Sequence, residues 1–387
     1  MRTLGAHEVE AACLGGGVFA CGGGGWLEHG LQNGHLAVTL GRPKLYGIED
    51  IAQEGLIVTL SAIGAPAATS GWEMWPRDYI RAFELVKEAA EQDGHKVVGV
   101  MNAQNGYSSS VNCWMPAAYF DLPVVDAAGD VRAHPTIKLG AMGYAGEGDV
   151  QTVQAVVGGN RSQGAYLEVL ARGSLFKTAN ILRVASVQSG GFIASARLPL
   201  PVAEVRARAA LGSISKAIEL GEAMLEAKMH GPDAMLEAVC RATSGVMLTH
   251  GRVSSASLRT EGGFDFAHYT VRDGGDEYRV FTMNEHMACD KNGVRVSSFP
   301  DTLCLFDVAT GLPLKTGDTL EGMTVAVLHV DRHKLPLSKG VTDPAAYPEL
   351  EAMMGLELAR YALEGVGGEA ALEGKKGKSD KKGKKKA

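Results

Sequence analysis

The stretch YRVFTMNEHMAC sets one carboxylate, Glu285, in the middle of an apolar run. Read as a single strand, it puts Phe281, Met283, Glu285, Met287 and Cys289 on one face by the period of two. A carboxyl group on an apolar face loses hydration, holds its proton more tightly and can serve as a general acid or base. The competing reading is a buried ion pair with Arg279 or Arg295. Further on, Asp301 follows Pro300 at the mouth of the strand-like TLCLFD, where a loop carboxylate either faces a cleft or caps a turn.

A second chemical signal is the run Gly22, Gly23, Gly24 and Gly25 ahead of Trp26. Without Cβ atoms, its backbone amides can form a nest for an anionic or carbonyl-bearing ligand at the start of a helix; the alternative is a plain turn. The neighbouring glycine of QNGH, Gly34, reads as an ordinary turn glycine. Residues 15–20, GGGVFA, match G-x-G-x-x-A, but the preceding HEVEAACL reads as helix, and no acidic residue stands where a ribose needs one. No Lys-Ser or Lys-Thr follows the glycines, so a Walker loop is absent as well. Cys21 reads either as a thiolate nucleophile or as a small buried filler.

Other candidates fall where α/β sheets place ligands, at the carboxyl ends of strands: Asp126 in PVVD, His134 in RAHP, and Glu73, Arg77 and Asp78 in GWEMWPRD. His329 and His333 are spaced for a helical metal site, but MTVAVLHVDRHKLPL reads as a strand running into a loop, so two exposed, unrelated histidines are expected.

The elements that must position these groups alternate in the first half of the chain. Residues 56–66 read as a buried strand, 76–94 as a helix with Pro first and Gly after its end, 96–101 as a strand, 111–120 as a helix and 123–129 as a strand. This βαβα order predicts an α/β domain with a parallel or mixed sheet. Residues 163–185 read as a long helix and 213–228 as an amphipathic one. Short strands then dominate over about 245–335, and 348–365 reads as a final helix. The expected division is an N-terminal α/β domain over 1–168, a C-terminal domain with a β-rich core and flanking helices over 169–366, and a lysine-rich tail over 367–387.

Composition agrees with a two-domain globular chain: 387 residues, 45% hydrophobic and 21% charged. Fifty glycines without a collagen period imply many tight turns and close backbone contacts. The last thirteen residues carry eight Lys and one Asp, so the net charge of −6 conceals a body at −13. A lysine-glycine run with no interleaved aromatic residues is expected to be a disordered tail and argues against nucleic-acid recognition. Six scattered cysteines without a CxxC pair point to a reducing cytoplasm. No run approaches the length of a membrane span. Long apolar helices and many sheet edges lead us to expect a homo-oligomer.

The segments LGGGVFACGGGG, IGAPAATSGWE, LPVVDAAGDVRAHP, LTHGRVSSASLRTEGGF, YRVFTMNEHMAC and SFPDTLCLFD, taken in order, resemble the S-methyl thiohydantoin desulfurase family of bacterial proteins over residues 9–335. The resemblance implies an N-terminal α/β domain, a C-terminal β-rich domain and a site between them. It also implies chemistry on a small heterocyclic substrate, a hydantoin-like five-membered ring. Water adds to the ring carbon between the two nitrogens, a sulfur group departs, and a hydantoin remains. Carried over by position, Gly22, Gly23, Gly24, Gly25, Glu73, Asp126, Arg132, Asn284, Glu285 and Asp301 match the family pattern. On this reading Glu285 is the acid or base, Asp301 orients water or a metal, and the glycine amides hold the ring oxygen or an appended carboxylate.

The chain departs from the family in the loop NAQNGYSSSVN, which lacks the usual acidic residue, and in AAGDVRAHP. Losing that carboxylate removes a base or metal ligand. The remaining carboxylates and His134 could still hold a divalent metal such as zinc. Two further functions stay open at the sequence level, a ring-opening cyclic amidohydrolase and a non-catalytic subunit of a hydantoinase-like system.

Overall fold

A computed structural model of the chain describes residues 1–65, 71–148 and 150–364. The lysine-rich tail lies outside the described residues.

Two sheets form the scaffold. The first draws on β1 (Arg2–Thr3), β2 (Lys44–Tyr46), β3 (Leu56–Gly64), β4 (Val97–Asn102), β5 (Val124–Ala128), β6 (Gln151–Gly158), β7 (Leu167–Ser174), β8 (Phe192–Pro201) and β9 (Ala210–Leu211). Its order is β1-β2-β5-β4-β3-β8-β6-β7, with β9 on β5. β2, β5, β4 and β3 run parallel and the remaining pairs antiparallel, so the sheet is mixed. The second sheet is antiparallel and comprises β10 (Val246–Glu261), β11 (Phe264–Asp273), β12 (Asp276–Met283), β13 (Glu285–Lys291), β14 (Val294–Ser298), β15 (Thr302–Asp307), β16 (Leu312–Pro313) and β17 (Thr324–Val330). Strand pairing carries the first sheet as far as Leu211, so the expected division at residue 168 falls inside β7.

The helices are α1 (Ala6–Phe19), α2 (Leu27–Leu40), α3 (Pro76–Gln92), α4 (Trp114–Phe120), α5 (Ile137–Gly140), α6 (Leu175–Gln188), α7 (Val202–Arg208), α8 (Ser213–Lys228), α9 (Pro232–Thr243), α10 (Pro348–Met354) and α11 (Ala359–Glu364). β3 is almost wholly buried, which accounts for its unbroken apolar run. α3 starts at Pro76, and the Asp78 carboxylate accepts the Trp75 amide at 2.7 Å. α1, α8 and α9 fill the space between the sheets, packing Val18, Phe19, Leu220, Met224 and Val239 against Phe306 and Leu328 of the second sheet.

The G-x-G-x-x-A segment lies inside α1. A Cβ at Gly15 would overlap the Ala217 carbonyl of α8, and one at Gly221 would overlap the Ala11 carbonyl of α1. These glycines let two helix backbones touch; they belong to no nucleotide loop.

Three expected elements differ. Residues 163–185 hold a strand, β7, followed by α6; pairing with β6 overrides the helix preference of its Leu, Glu, Ala and Arg. The expected final helix over 348–365 is two, broken at Gly355 with φ +62°. QNGH is not a turn: Gly34 sits within α2 facing α1, where a Cβ would lie 2.5 Å from Val9 Cγ1.

Candidate active site

β3, β4 and β5 run parallel, and their carboxyl ends open toward one polar cavity of about 60 Å³. Ser61 to Gly64 come from the end of β3, Ala103 and Gln104 from the end of β4, and His134 to Ile137 from the segment after β5. This is the crevice at strand ends where open α/β sheets bind ligands. The second sheet closes it with Asn284 and Glu285, and Gly24 and Gly25 complete the wall. A wider space of about 320 Å³ shares Ile63, Thr136, Ile137, Arg183 and Arg197 with the cavity and extends past Phe176, Phe264 and Leu350.

Glu285 reaches the cavity through a chain reversal. Asn284 has φ +56°, and the strand turns back there, so that Met283 pairs with Glu285 and Thr282 with His286. The single strand expected over residues 278–289 is therefore two, and the period of two does not run through residue 285. Asn284 is held on three sides. Its Oδ1 accepts the Asp265 amide at 2.8 Å, its own amide donates to the Asp265 carbonyl at 2.7 Å, and its carbonyl accepts the Thr316 hydroxyl at 2.7 Å.

Burial around Glu285 is as expected: it is 3% exposed, and desolvation raises its pKa to about 8 against the lowering effect of Arg132 and Arg183. The competing ion pair with Arg279 or Arg295 is not formed. Arg279 binds Glu277 at 2.7 Å, Arg295 binds Asp290 at 2.5 Å, and Glu285 Oε2 has no partner among the described residues.

The glycine run and Glu285 meet. A Cβ at Gly23 would overlap Glu285 Oε1; at Gly22 it would lie 2.7 Å from Thr316 Oγ1 and 2.8 Å from His286 Nε2. The Gly24 carbonyl accepts the amides of Ser108 and Ser109, and the His286 amide donates to the Cys21 carbonyl at 2.6 Å. Close packing thus explains the glycines, while Gly24 and Gly25 also face the cavity. Cys21 is buried, and desolvation raises its thiol pKa, which disfavours a thiolate.

The other candidates separate into two groups. His134 lines the cavity, its Nδ1 without a partner among the described residues, and burial lowers its pKa to about 3, so the ring is neutral. Arg132, Asp126, Asp301 and Glu73 lie outside the lining. Arg132 is fully buried and ties the carbonyls of Asp301 (2.5 Å), His286 (2.9 Å) and Ala133 (3.1 Å) while stacking on Phe299, so it positions the segment that carries Glu285. Asp126 accepts the Ile214 and Ser215 amides, both at 3.0 Å, at the start of α8. Asp301 accepts the amides of Ser298 (3.3 Å) and Arg332 (3.1 Å), the turn-capping alternative. Glu73 accepts the Arg161 amide at 3.0 Å, which with the nearby guanidinium lowers its pKa. His329, expected to be exposed and unrelated, is mostly buried, with Nδ1 2.9 Å from Ser297 Oγ and 3.8 Å from Asp301; His333 is exposed.

Several cavity residues escaped the sequence reading, among them Thr136, whose Oγ1 is buried without a partner among the described residues. Ser61 and Asn112 are buried, with Oγ and Oδ1 lacking a partner among the described residues. Asn112 comes from the loop that lacks the family's acidic residue and also supplies Gln104 and Ser109, so amides and a hydroxyl stand there without a carboxylate. Arg183 donates to the Gly263 (3.0 Å) and Pro135 (3.2 Å) carbonyls and stacks on Phe264 at 4.2 Å. Among the described residues, no acceptor engages Arg197. Desolvation lowers the two guanidinium pKa values to about 10 and about 9, leaving both cationic at neutral pH. An arginine inside the apolar FIASARLPLP was the one signal that could have been read.

Among the described residues, no three His, Cys, Asp or Glu side chains converge to hold a metal ion. His134 and Glu285 are two such donors, one short of the three protein ligands of a catalytic zinc site, and Asp126 and Asp301 are turned to backbone amides. The donor set does not fit zinc.

Comparison with known families divides the chain in two. Residues 7–163 match the S-Me-THD-like N-terminal domain and residues 174–340 the S-Me-THD-like C-terminal domain. The chain belongs to the S-Me-THD-like family. Membership agrees with the resemblance read from the motifs and with the two-domain architecture. A crystal structure of a protein from Chromobacterium violaceum shares this fold, with a TM-score of 0.68 at 21% identity, covering 92% of this chain and 97% of that one. No curated protein matches this S-Me-THD-like chain. Among the described residues no helix is long and apolar enough to cross a membrane.

Proposed function

We propose that the protein hydrolytically desulfurises a thiohydantoin-type ring bearing an anionic substituent. The observation that carries this reading is the convergence on one cavity of five buried polar atoms without a partner among the described residues, Ser61 Oγ, Asn112 Oδ1, His134 Nδ1, Thr136 Oγ1 and Glu285 Oε2, beside the guanidinium of Arg197, which no acceptor among those residues engages. Buried polar atoms without partners are rare and imply a polar occupant. A cyclic ureide presents N–H and C=O groups around its rim, and family membership supports this class of ring.

In the proposed reaction, protonated Glu285 gives its proton to the ring nitrogen doubly bonded to the carbon that bears the S-methyl group. Water held among Ser61, Asn112 and His134 attacks that carbon and yields a proton to the Glu285 carboxylate. The adduct collapses: the C–S bond breaks, its electron pair leaves with sulfur, and Glu285 protonates the thiolate and recovers the hydroxyl proton. Substrate and water become hydantoin and methanethiol. Arg183 and Arg197 hold the anionic substituent in the wider space. The test is an assay of an S-methyl thiohydantoin carrying a carboxylate side chain and of the bare ring. Release of methanethiol with an intact hydantoin, faster for the carboxylate, is expected. A ring-opened ureido acid with sulfur retained would identify an amidohydrolase, and binding without turnover a non-catalytic subunit.

A further inference from the structure

Of the four strands that end the two sheets, β1 and β16 have two residues each, and β14, with five, is braced by the C-terminal segment, where Arg295 donates to the Glu357 carbonyl and stacks on Tyr361. β7 is different. It has eight residues, pairs only with β6 among the described residues, and contains neither the Pro nor the Lys that commonly guards a sheet edge. Apolar side chains gather beside it. Leu170 is 43% exposed, and on α6 Ile181 and Val184 are 53% and 61% exposed. From these observations we infer that β7 and α6 form the interface of a twofold dimer in which β7 pairs antiparallel with β7 of a second copy.

The edge is self-complementary. Leu167, Val169 and Ala171 lie beneath α6, while Glu168, Leu170 and Arg172 point to the other face. A twofold axis through Leu170 sets Leu170 against its counterpart and Glu168 against Arg172 of the second copy, twice. In antiparallel strands, opposite charges and apolar pairs directly across from each other are stabilising. Within one chain Glu168 meets Arg81 at 3.2 Å and Arg172 meets Asp93 at 2.6 Å, both solvent-exposed pairs of small worth that leave room for this exchange.

The twofold axis of such a strand pair is perpendicular to the sheet, so both α6 helices fall on the same face. Arg183 points from α6 toward the cavity, and Ile181, about 160° round the helix from it, points toward the free edge. Ile181 and Val184 then lie between the two helices. One C2 contact thereby covers the edge hydrogen-bonding groups, Leu170 and the apolar side of α6.

Sedimentation velocity on the full chain tests this. A dimer is expected for the natural sequence. Val184→Lys and Leu170→Lys should each give a monomer with unchanged circular dichroism. Glu168→Arg and Arg172→Glu should each weaken the dimer about tenfold, and the double exchange should restore it. A monomeric natural chain, or a dimer indifferent to Val184→Lys and to both charge reversals, overturns the inference. Rescue by the double exchange establishes the register even if Leu170→Lys fails to fold.

Discussion

A carboxyl group with a pKa near 8 is an acid at neutral pH, and among the described residues Glu285 is the one carboxylate on the cavity wall. Glu285→Gln keeps the size and neutrality of the protonated form but removes the transferable proton. Turnover should fall by about 10²- to 10⁴-fold with the melting temperature kept or raised; a near-normal kcat would rule out proton transfer by Glu285. In the intact protein the kcat of the proposed reaction should fall as the pH rises past about 8, when Glu285 loses its proton. In the proposed reaction the arginines act on binding. Arg197→Met should raise KM for a carboxylate-bearing substrate by about 10- to 100-fold, the worth of a charge-assisted hydrogen bond, and leave the bare ring unaffected. An equal effect on both substrates would move the anion site elsewhere.

At the scale of elements, the site is a contact between the turn after α1 and the reversal between β12 and β13. Gly23→Ala puts a Cβ into the Glu285 carboxyl and should displace it, lowering kcat far more than Gly275→Ala, whose added Cβ meets nothing within 4 Å. Equal activities in the two variants, both shown folded by circular dichroism, would remove the turn from the mechanism. Gly34→Ala is no neutral control, since its Cβ would press on Val9 between α1 and α2.

Over the whole molecule, buried groups of opposite sign set the pH of greatest stability. His29, His134 and His286 have pKa values lowered to about 4, 3 and 3, so the unfolded chain binds more protons below about pH 6.5 and stability rises with pH there. Glu285 and Asp130 have pKa values raised to about 8 and 7, so the folded chain holds more protons and stability falls as pH rises from the ordinary carboxylate range to those values. Three histidines outweigh two carboxyls below about pH 6.5, and only the carboxyls act above it. The melting temperature should therefore peak near pH 6.5, and Glu285→Gln should flatten the decline toward pH 8. A profile unchanged by that substitution would mean that Glu285 is hydrated.

Local chemistry was legible in the chain. Pro76 and the apolar run of β3 marked their elements, HEVEAACL declared a helix and removed the nucleotide reading, and Glu285 stood out as a carboxylate among apolar residues. These signals depend on neighbours within a few residues, which is the range over which propensity and pattern act. Partners distant in sequence decided the rest. β7 is a strand because β6 is beside it, and Asp126 and Asp301 face backbone amides of residues far along the chain or across a turn, where a lone loop carboxylate looks the same as a catalytic one. Arg183 and Arg197 reach one cavity from a helix and a strand that only the first sheet brings together, and the overlap of Gly23 with Glu285 spans both domains. Burial is a property of the packed chain, and so are the charge states that make this cavity a candidate for catalysis.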